Sequence, residues 1–309
     1  MIAFPSKTRA GQRRIDRIAE IAIGLSALAT VAGIVLIFVF VFREALPVLV
    51  DPATRKTGGL AQLFARGAWQ PVSSDPRYSL LPLILGSLKA TLVAVVTAVP
   101  IAVLAAVYTS EFAPNRLREL IKPVIELLAG IPSVVLGFFA LIILATWIQA
   151  LTGSTVRLNA LNAGVALGFA ILPVVYSVSE DALRAVPPSY REASLALGAS
   201  EWQTAFFVTL PAAWAGIFAA VMLGVGRAVG ETMIVLMASG NAALVSAPLT
   251  DSIRTLSATV AAELAEVVVG STHYSVLFFI GSLLFFVTFL LNVAAGLMVD
   301  RMRQRLAGS

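Results

Sequence analysis

Six long apolar stretches, separated by polar segments, dominate the pattern of the chain. A helix that crosses a bilayer needs about 17–25 mostly apolar residues, and each stretch reaches that length. They lie at residues 20–43, 83–110, 123–150, 161–179, 213–239 and 274–299. The pattern predicts an all-α integral membrane protein with six transmembrane helices. Prolines inside three of the stretches, at Pro100, Pro132 and Pro173, predict local kinks.

The polar segments divide the chain into tails, loops and a membrane core. The predicted order is a basic cytoplasmic tail at 1–19, a first transmembrane helix at 20–43, an outer loop at 44–82, a transmembrane core at 83–299 that contains a cytoplasmic loop at 180–212, and a second cytoplasmic tail at 300–309. Two helices are predicted on the outer face. One covers residues 61–68, with Trp69 beside it at the membrane interface, and the other covers residues 253–269.

Composition and charge agree with a membrane protein. Hydrophobic residues make up 59% of the chain and charged residues only 13%, whereas a soluble domain carries about 25% charged residues. A net charge of +5 is also found in nucleic-acid-binding proteins, but most basic residues here flank the apolar stretches on one side. Basic residues mark the cytoplasmic side, so we expect both termini there and no nucleic-acid partner. The residues on that side are Lys7, Arg9, Arg13, Arg14, Arg17, Arg116, Arg118, Lys122, Arg184, Arg191, Arg301, Arg303 and Arg305.

Several kinds of chemistry have no signature in the sequence. There is no cysteine, which excludes disulfides and thiolate metal sites. Gly-x-x-x-x-Gly-Lys-Ser/Thr, Gly-x-Ser-x-Gly and His-Glu-x-x-His motifs are also missing. We therefore expect no enzyme activity, no catalytic or metal site and no cofactor bound by this chain. The single histidine, His273, is expected at the outer interface, and Lys89 is expected to extend towards the same interface, with a role at a pathway mouth left open.

The fifth apolar stretch carries two ionisable residues. Arg227 and Glu231 are four positions apart, which places them on one face of a continuous helix. A charge at the bilayer centre costs about 2.5–3.5 kcal/mol, so such residues usually have a function. Two interpretations remain open: Arg227 binds an anion while Glu231 holds Arg227 and keeps the pathway nearly neutral, or the pair only braces the helices. Gly226 and Gly230 predict close helix packing near this site.

The loop at 180–212 has an uncommon spacing. Glu192-Ala193-Ser194 is followed by Gly198, Val208 and Leu210-Pro211. This resembles the EAA loop of type I ABC importer permeases, with Ser194 and Val208 as conservative departures. The resemblance implies two short cytoplasmic helices that dock on a separate ATPase subunit through Glu192, Ala193, Gly198, Leu210 and Pro211. We expect Gly198 at the turn between the helices.

Other stretches narrow the resemblance to the C-type membrane subunits of bacterial phosphate importers. They are Ser110-Glu111-Phe112-Ala113-Pro114, Glu126-Leu127-Leu128-Ala129-Gly130-Ile131-Pro132-Ser133, Trp69-Gln70-Pro71 with Leu81-Pro82-Leu83-Ile84-Leu85-Gly86-Ser87, and Arg227-Ala228-Val229-Gly230-Glu231-Thr232-Met233. The resemblance implies a multi-pass protein of the inner membrane, in which Arg227 and Glu231 serve phosphate passage.

The same resemblance implies the partners. They are a sister permease subunit, two copies of an ATP-binding subunit that hold ATP and Mg, and a phosphate-binding protein that is periplasmic or lipid-anchored. Alternatives within the family are the A-type phosphate subunit and a permease for sulfate or molybdate. A proton-coupled transporter would need more acidic residues inside the spans than Glu231, and an intramembrane enzyme would need a nucleophile and base that the sequence does not show.

The distribution of basic residues predicts the topology. A reporter that is active only in the cytoplasm should give signal when fused after Ser309 and none when fused at Gly58, because positive charge retains the flanking segments inside. Equal cytoplasmic signal from the two fusions would contradict the six-span arrangement.

Overall fold

The computed structural model describes residues 9–307, and their side chains from 16 to 302. The ends of the two predicted tails, residues 1–8 and 308–309, lie outside the described residues. In chain order the α-helices are α1 Arg9–Ala45, α2 Pro47–Val50, α3 Pro52–Gly58, α4 Leu60–Phe64, α5 Leu81–Val107, α6 Asn115–Ala129, α7 Ser133–Phe139, α8 Ala145–Thr152, α9 Ala160–Arg184, α10 Pro188–Ala196, α11 Glu201–Thr204, α12 Leu210–Gly230, α13 Met233–Ala238, α14 Leu256–Glu263 and α15 Thr272–Ala307. The strands are β1 Trp69–Gln70 and β2 Arg77–Tyr78, and π-helical turns cover Tyr108–Phe112, Ala140–Leu144 and Ala205–Thr209.

The predicted fold class is confirmed. Six helical runs in the described chain are long and apolar enough to cross a membrane, namely Asp16–Val50, Leu81–Phe112, Ser133–Thr152, Ala160–Arg184, Glu201–Gly230 and Thr272–Met302. We number them as spans one to six. Most of their exposed surface is apolar, as expected of helices that face lipid.

The third span is shorter than predicted. Residues 123–129 belong to the amphipathic helix α6, and the chain breaks at Gly130 before α7 begins at Ser133. Pro132 has an extended backbone, with φ −57° and ψ 138°, and a proline disfavours the helical conformation of the residue before it. Pro100 and Pro173, by contrast, lie inside continuous helices.

The centre of the bundle is α9, which packs between α5 and α12. Small residues let these helices approach closely. A Cβ on Gly164 would overlap the side chain of Val93 and lie 3.0 Å from the Ala90 carbonyl oxygen. A Cβ on Gly224 of α12 would lie 2.7 Å from Val175. Spans two, four and five therefore form a compact unit.

The first span lies at the periphery and packs along the last. Phe38 stacks against Phe285 with ring centroids 4.9 Å apart, and Phe40 meets Phe278 edge-on at 5.6 Å. From residue 16 onwards, the rest of α1 is largely exposed. Aromatic pairs of this kind add about 0.5–1.5 kcal/mol beyond the area they bury, so they fix the first span at one position on the bundle.

The segment between spans one and two folds into a cap. The hairpin β1–β2 pairs Trp69 with Tyr78, and both side chains are buried. The Trp69 ring is therefore covered by protein and does not face lipid, and the helix predicted at 61–68 is the shorter Leu60–Phe64. The helix predicted at 253–269 is likewise only Leu256–Glu263. Tertiary packing overrides the local apolar pattern at these positions, because the rings of Trp69 and Tyr78 pack in a protein core with residues of the last span.

A buried carboxylate holds the cap onto the last span. Glu263 lies 2.8 Å from an Arg254 nitrogen and 2.9 Å from His273 Nε2, and it accepts a hydrogen bond of 3.1 Å from Trp69 Nε1. Burial by itself raises the pKa of the Glu263 carboxyl. The hydrogen bonds to His273 and Trp69 and the charge of Arg254 outweigh burial, so that pKa lies below its usual value of 4.5.

The structure shows the hydrogen-bond partners of His273 and Lys89. His273 lies at the start of α15, as predicted, and pairs with Glu263. Lys89 reaches the segment after α13, which is predicted to lie on the outer face. Its Nζ donates to the Ser246 carbonyl oxygen, and to Pro248 O at 3.2 Å. Lys89 therefore ties the second span to the segment after α13.

Replacement of the Glu263 charge should loosen this cap. Glu263→Gln leaves Arg254 without its carboxylate, and a hydrogen bond to a charged group contributes about 1.5–3 kcal/mol. We expect a lower unfolding temperature for the variant at pH 7, measured by circular dichroism on the purified protein in lipid nanodiscs. Since the folded-state pKa is depressed, the carboxylate stabilises above pH 4.5 and this contribution disappears as the pH falls through the folded-state value.

The matched control is Asp75→Asn. Asp75 pairs with Arg77 at 3.4 Å, but both side chains are mostly exposed, and exposed pairs contribute about 0–1 kcal/mol. This variant should unfold like the wild type at pH 7 and also as the pH is lowered. A Glu263→Gln protein as stable as Asp75→Asn at pH 7 would show that the cluster does not hold the cap.

Candidate functional site

The most unusual feature of the bundle is a break at the end of the fifth span. The sequence predicts a continuous helix over 213–239, but α12 ends at Gly230 and α13 begins at Met233. Glu231 between them is extended, with φ −68° and ψ 134°. A glycine followed by a Thr N-cap position is the local signal that predicts such a break. Interrupted helices in membrane proteins are tolerated where the freed backbone is buried in protein or lines a cavity.

The predicted Arg227–Glu231 pair does not form. The break rotates Glu231 out of the helix, so the two side chains do not share a face. Glu231 Oε1 instead accepts a hydrogen bond from the Thr232 N–H at 3.1 Å, and its carbonyl oxygen accepts from Ser257 Oγ at 2.8 Å. Both interpretations left open by the sequence assumed contact between Arg227 and Glu231, and the described side chains do not make it in this conformation.

Arg227 is consequently a free cation. It lies exposed in the last turn of α12, and no carboxylate among residues 16–302 is within ion-pairing distance. Leu223, one turn earlier, and Gly230 are exposed on the same side. A positive charge in the last turn is favoured by the helix dipole, which offsets part of the cost of desolvation. The guanidinium can therefore accept an anionic partner from outside the chain.

The chain after the break is held by buried polar side chains. Asn162 of α9 donates to the Ala238 carbonyl oxygen at 2.9 Å, which closes the end of α13. Ser252 Oγ donates to the Ser239 carbonyl oxygen at 2.9 Å. Gly137 of α7 packs so closely on α13 that a Cβ would lie 3.1 Å from the Met233 carbonyl oxygen. The short helix is thus rigidly seated between spans three and four.

A groove of about 350 Å³ opens beside the break. It runs from Gly230 and Thr232 past Ser257 to Thr288 of the last span. The walls are mainly apolar, and the hydroxyls of Ser257 and Thr288 are engaged with backbone carbonyls. The groove provides open volume next to the break between α12 and α13, and Arg227 lies one turn before this break.

The two glycines near Arg227 do not pack within this chain. A Cβ at Gly230 would meet open space, and one at Gly226 would only touch Asn292 at 3.8 Å. Gly224, by contrast, is in close contact with Val175. The close helix packing predicted at Gly226 and Gly230 is not seen within the described chain.

The EAA-like loop has the predicted form. Helix α10 contains Glu192 and Ala193, and Gly198 follows it with a left-handed φ of 86°, before α11. The prediction that Gly198 lies at the turn is confirmed. Ser200 and Gln203 form a capping box that starts α11. Leu210 and Pro211 begin α12, where the missing N–H of a proline is tolerated.

One face of this loop is free and the other is anchored. Glu192 and Ala193 are exposed, and Leu197 at the tip is 90% exposed. On the inner face, Arg191 binds Glu111 at the end of span two. The sequence did not predict this pair, because the two residues are 80 positions apart. Within residues 9–307, no cluster of His, Asp or Glu side chains has the arrangement of a metal site.

Comparison with known proteins identifies the family. The family described as "Binding-protein-dependent transport system inner membrane component" matches residues 98–307. A relative in Bacillus subtilis, "Probable ABC transporter permease protein YqgH", is 38% identical, and the match covers 72% of each chain. "Phosphate transport system permease protein PstC 1" of Mycobacterium bovis is 37% identical over 72% of this chain and 73% of its own.

Solved structures share the fold. A bacterial ABC transporter involved in the import of the acidic polysaccharide alginate superposes with a TM-score of 0.62 at 14% identity, over 94% of this chain and 99% of that one. The MetNI methionine ABC transporter superposes with a TM-score of 0.57 over 72% of this chain and 95% of that chain. With six apolar spans and the family match, the chain belongs to the multi-pass inner-membrane permease subunits of binding-protein-dependent ABC importers.

Proposed function

We propose that this chain is the C-type subunit of a phosphate importer and forms half of the phosphate pathway. The observation that carries the proposal is its 37% identity to a phosphate transport permease over most of both chains. A second such relative, in Mesorhizobium japonicum, is 32% identical over 77% of this chain and 78% of its own. The exposed, unpaired Arg227 beside an interrupted span supports the same conclusion from geometry.

The chemistry of Arg227 suits phosphate. A guanidinium is always charged and offers a planar fork of donors that matches two phosphate oxygens. Because Arg227 has no carboxylate partner in this conformation, an arriving anion has no ion pair to displace. One arginine neutralises only part of a phosphate dianion, so we infer that the sister permease subunit contributes a second cation across the pathway.

Glu231 has a complementary role in this proposal. Its carboxylate lies at the break and is held only by the neighbouring Thr232 N–H. A change in the backbone at the break would bring a negative charge close to Arg227 and compete with phosphate for it. Glu231 would then favour release of the anion.

Energy comes from a partner subunit. We infer that two ATPase copies, which hold ATP and Mg, dock on the free face of the loop at Glu192, Ala193 and Leu197. A phosphate-binding protein would deliver phosphate at the outer cap, and both termini of this chain would lie in the cytoplasm. Closure of the ATPase pair would move α10 and α11 and switch the pathway between its two orientations, a rocking mechanism also used by other transporters.

The direct test is reconstitution. The chain, its sister subunit, the ATPase and the binding protein are placed in liposomes, and uptake of labelled phosphate is measured with ATP inside. We expect uptake and ATP hydrolysis that depend on phosphate-loaded binding protein. Equal stimulation by sulfate or molybdate would instead assign another oxyanion.

A side chain at Gly198 should uncouple the ATPase. Gly198→Val forces a β-branched residue into a left-handed conformation, which costs about 1–3 kcal/mol and distorts the turn. We expect normal insertion, but roughly tenfold less ATPase that co-purifies with the permease, since about 1.4 kcal/mol corresponds to a factor of ten.

The matched control is Gly270→Val. Gly270 has a similar φ of 79°, and a Cβ there would also meet open space, but it lies outside the loop. It should bind the ATPase normally. Normal ATPase binding and transport by Gly198→Val would show that this turn is not the docking element.

Loss of the Arg227 charge should strongly slow phosphate uptake. Arg227 makes no ion pair within the described chain, so Arg227→Gln leaves no orphan charge and the complex should still assemble. Loss of a desolvated charge contact costs about 2–5 kcal/mol, and we expect roughly a hundredfold slower uptake. Arg227→Lys keeps the charge but loses the fork and should be intermediate.

Arg43→Gln is the control for this experiment. Arg43 is also an exposed arginine, but it lies at the end of the first span. Uptake should match the wild type at equal membrane abundance. Phosphate uptake by Arg227→Gln at the rate of Arg43→Gln would refute the anion site.

A further inference from the structure

Glu111 occupies a junction between several membrane spans. It lies in the π-helical turn Tyr108–Phe112, which ends span two, and its side chain is only 8% exposed. Both of its oxygens bind Arg191: Nη2 lies 2.8 Å from Oε1, and Nε lies 2.9 Å from Oε2. This bidentate geometry fixes orientation as well as distance. Thr209, the last residue before α12, also donates to Oε2 at 3.4 Å.

Arg191 extends the junction to span four. Its Nη1 donates to the Val186 carbonyl oxygen at 3.0 Å, and its Nη2 donates to the Leu183 carbonyl oxygen at 2.9 Å. Those carbonyls lie at the end of α9, and Arg191 itself lies in α10, directly before the exposed Glu192. One guanidinium therefore joins the ends of spans two and four to the helix that carries the docking face.

Other charges at this end of the bundle do not contact α10. Lys122 and Arg184 bind the buried Glu180, which joins α6 to α9. Arg118 donates to the carbonyl oxygens of Thr109 and Ser110, at 2.9 and 2.8 Å. Among the described side chains, Glu111–Arg191 is thus the ion pair that links α10 to the spans.

We propose that the Glu111–Arg191 pair is the positioning contact that transmits movement of the docking helix to spans two and four. The proposal rests on the proposed function, because it assumes that an ATPase moves α10. A shielded, two-point contact makes α10 and the span ends move as one body. Without it, α10 can follow the ATPase while the spans lag behind.

The test measures how many ATP molecules are hydrolysed per phosphate imported in the reconstituted complex. Glu111→Gln and Arg191→Gln should keep the ATPase bound but raise this ratio roughly tenfold, within the usual range of coupling between sites. The double variant should be no worse than Arg191→Gln, since that single variant already breaks the pair with Glu111. Arg191→Lys, which keeps charge without the fork, should lie between.

Arg118→Gln is the matched control. It removes a part-buried arginine of α6 that donates to carbonyl oxygens at the end of span two and does not contact α10. Its ratio should equal that of the wild type. An unchanged ratio in Glu111→Gln and Arg191→Gln, or a loss of ATPase binding in Arg191→Lys, overturns the proposal.

A distance measurement separates transmission from mere folding. The chain has no native cysteine, so spin labels can be placed at Ser189→Cys on α10 and Leu104→Cys on α5, both exposed, in a complex whose partner cysteines are replaced. The distance should stay constant on ATP binding in the wild type and change in Glu111→Gln. A constant distance in both proteins overturns the proposal. If the wild-type complex imports no phosphate, the proposed function fails instead.

Discussion

The bilayer interior offers no hydrogen-bond partners to the peptide backbone, and this constraint shapes the whole chain. It makes the six spans helical, and it allows interruptions only where protein groups replace the missing partners. At the end of the fifth span, Ser257 satisfies the Glu231 carbonyl and Asn162 satisfies that of Ala238. A broken helix beside a groove therefore requires buried polar side chains in an otherwise apolar bundle.

The charges follow from the same constraint. Glu263, Glu111 and Glu180 are each sheltered, and each binds at least one cation at an end of the bundle. Arg227 differs because it lies within a span and makes no ion pair with any described side chain. An unpaired cation there is expensive unless a ligand uses it, which is why its isolation points to an anion pathway.

The docking loop combines rigidity with exposure. Its inner face is fixed by Arg191, its two helices are joined by a hydrogen bond of 2.9 Å between Ser194 and Thr204, and its turn requires the left-handed Gly198. Its outer face presents Glu192 and Leu197 to solvent. A loop that carries force from an ATPase to the spans, as we propose, needs both properties, since a flexible loop would dissipate the movement.

The sequence by itself determined the membrane class, the six spans and the position of the Gly198 turn, because these depend on local apolar length and backbone conformation. It also singled out Arg227, since a charge in an apolar stretch is visible without a fold. It did not determine the partners of Arg227, Lys89 or Trp69. Pairing of Glu111 with Arg191, and separation of Arg227 from Glu231, were decided only by tertiary structure. Such contacts depend on how distant helices cross and where one of them breaks, and neither is encoded by local spacing.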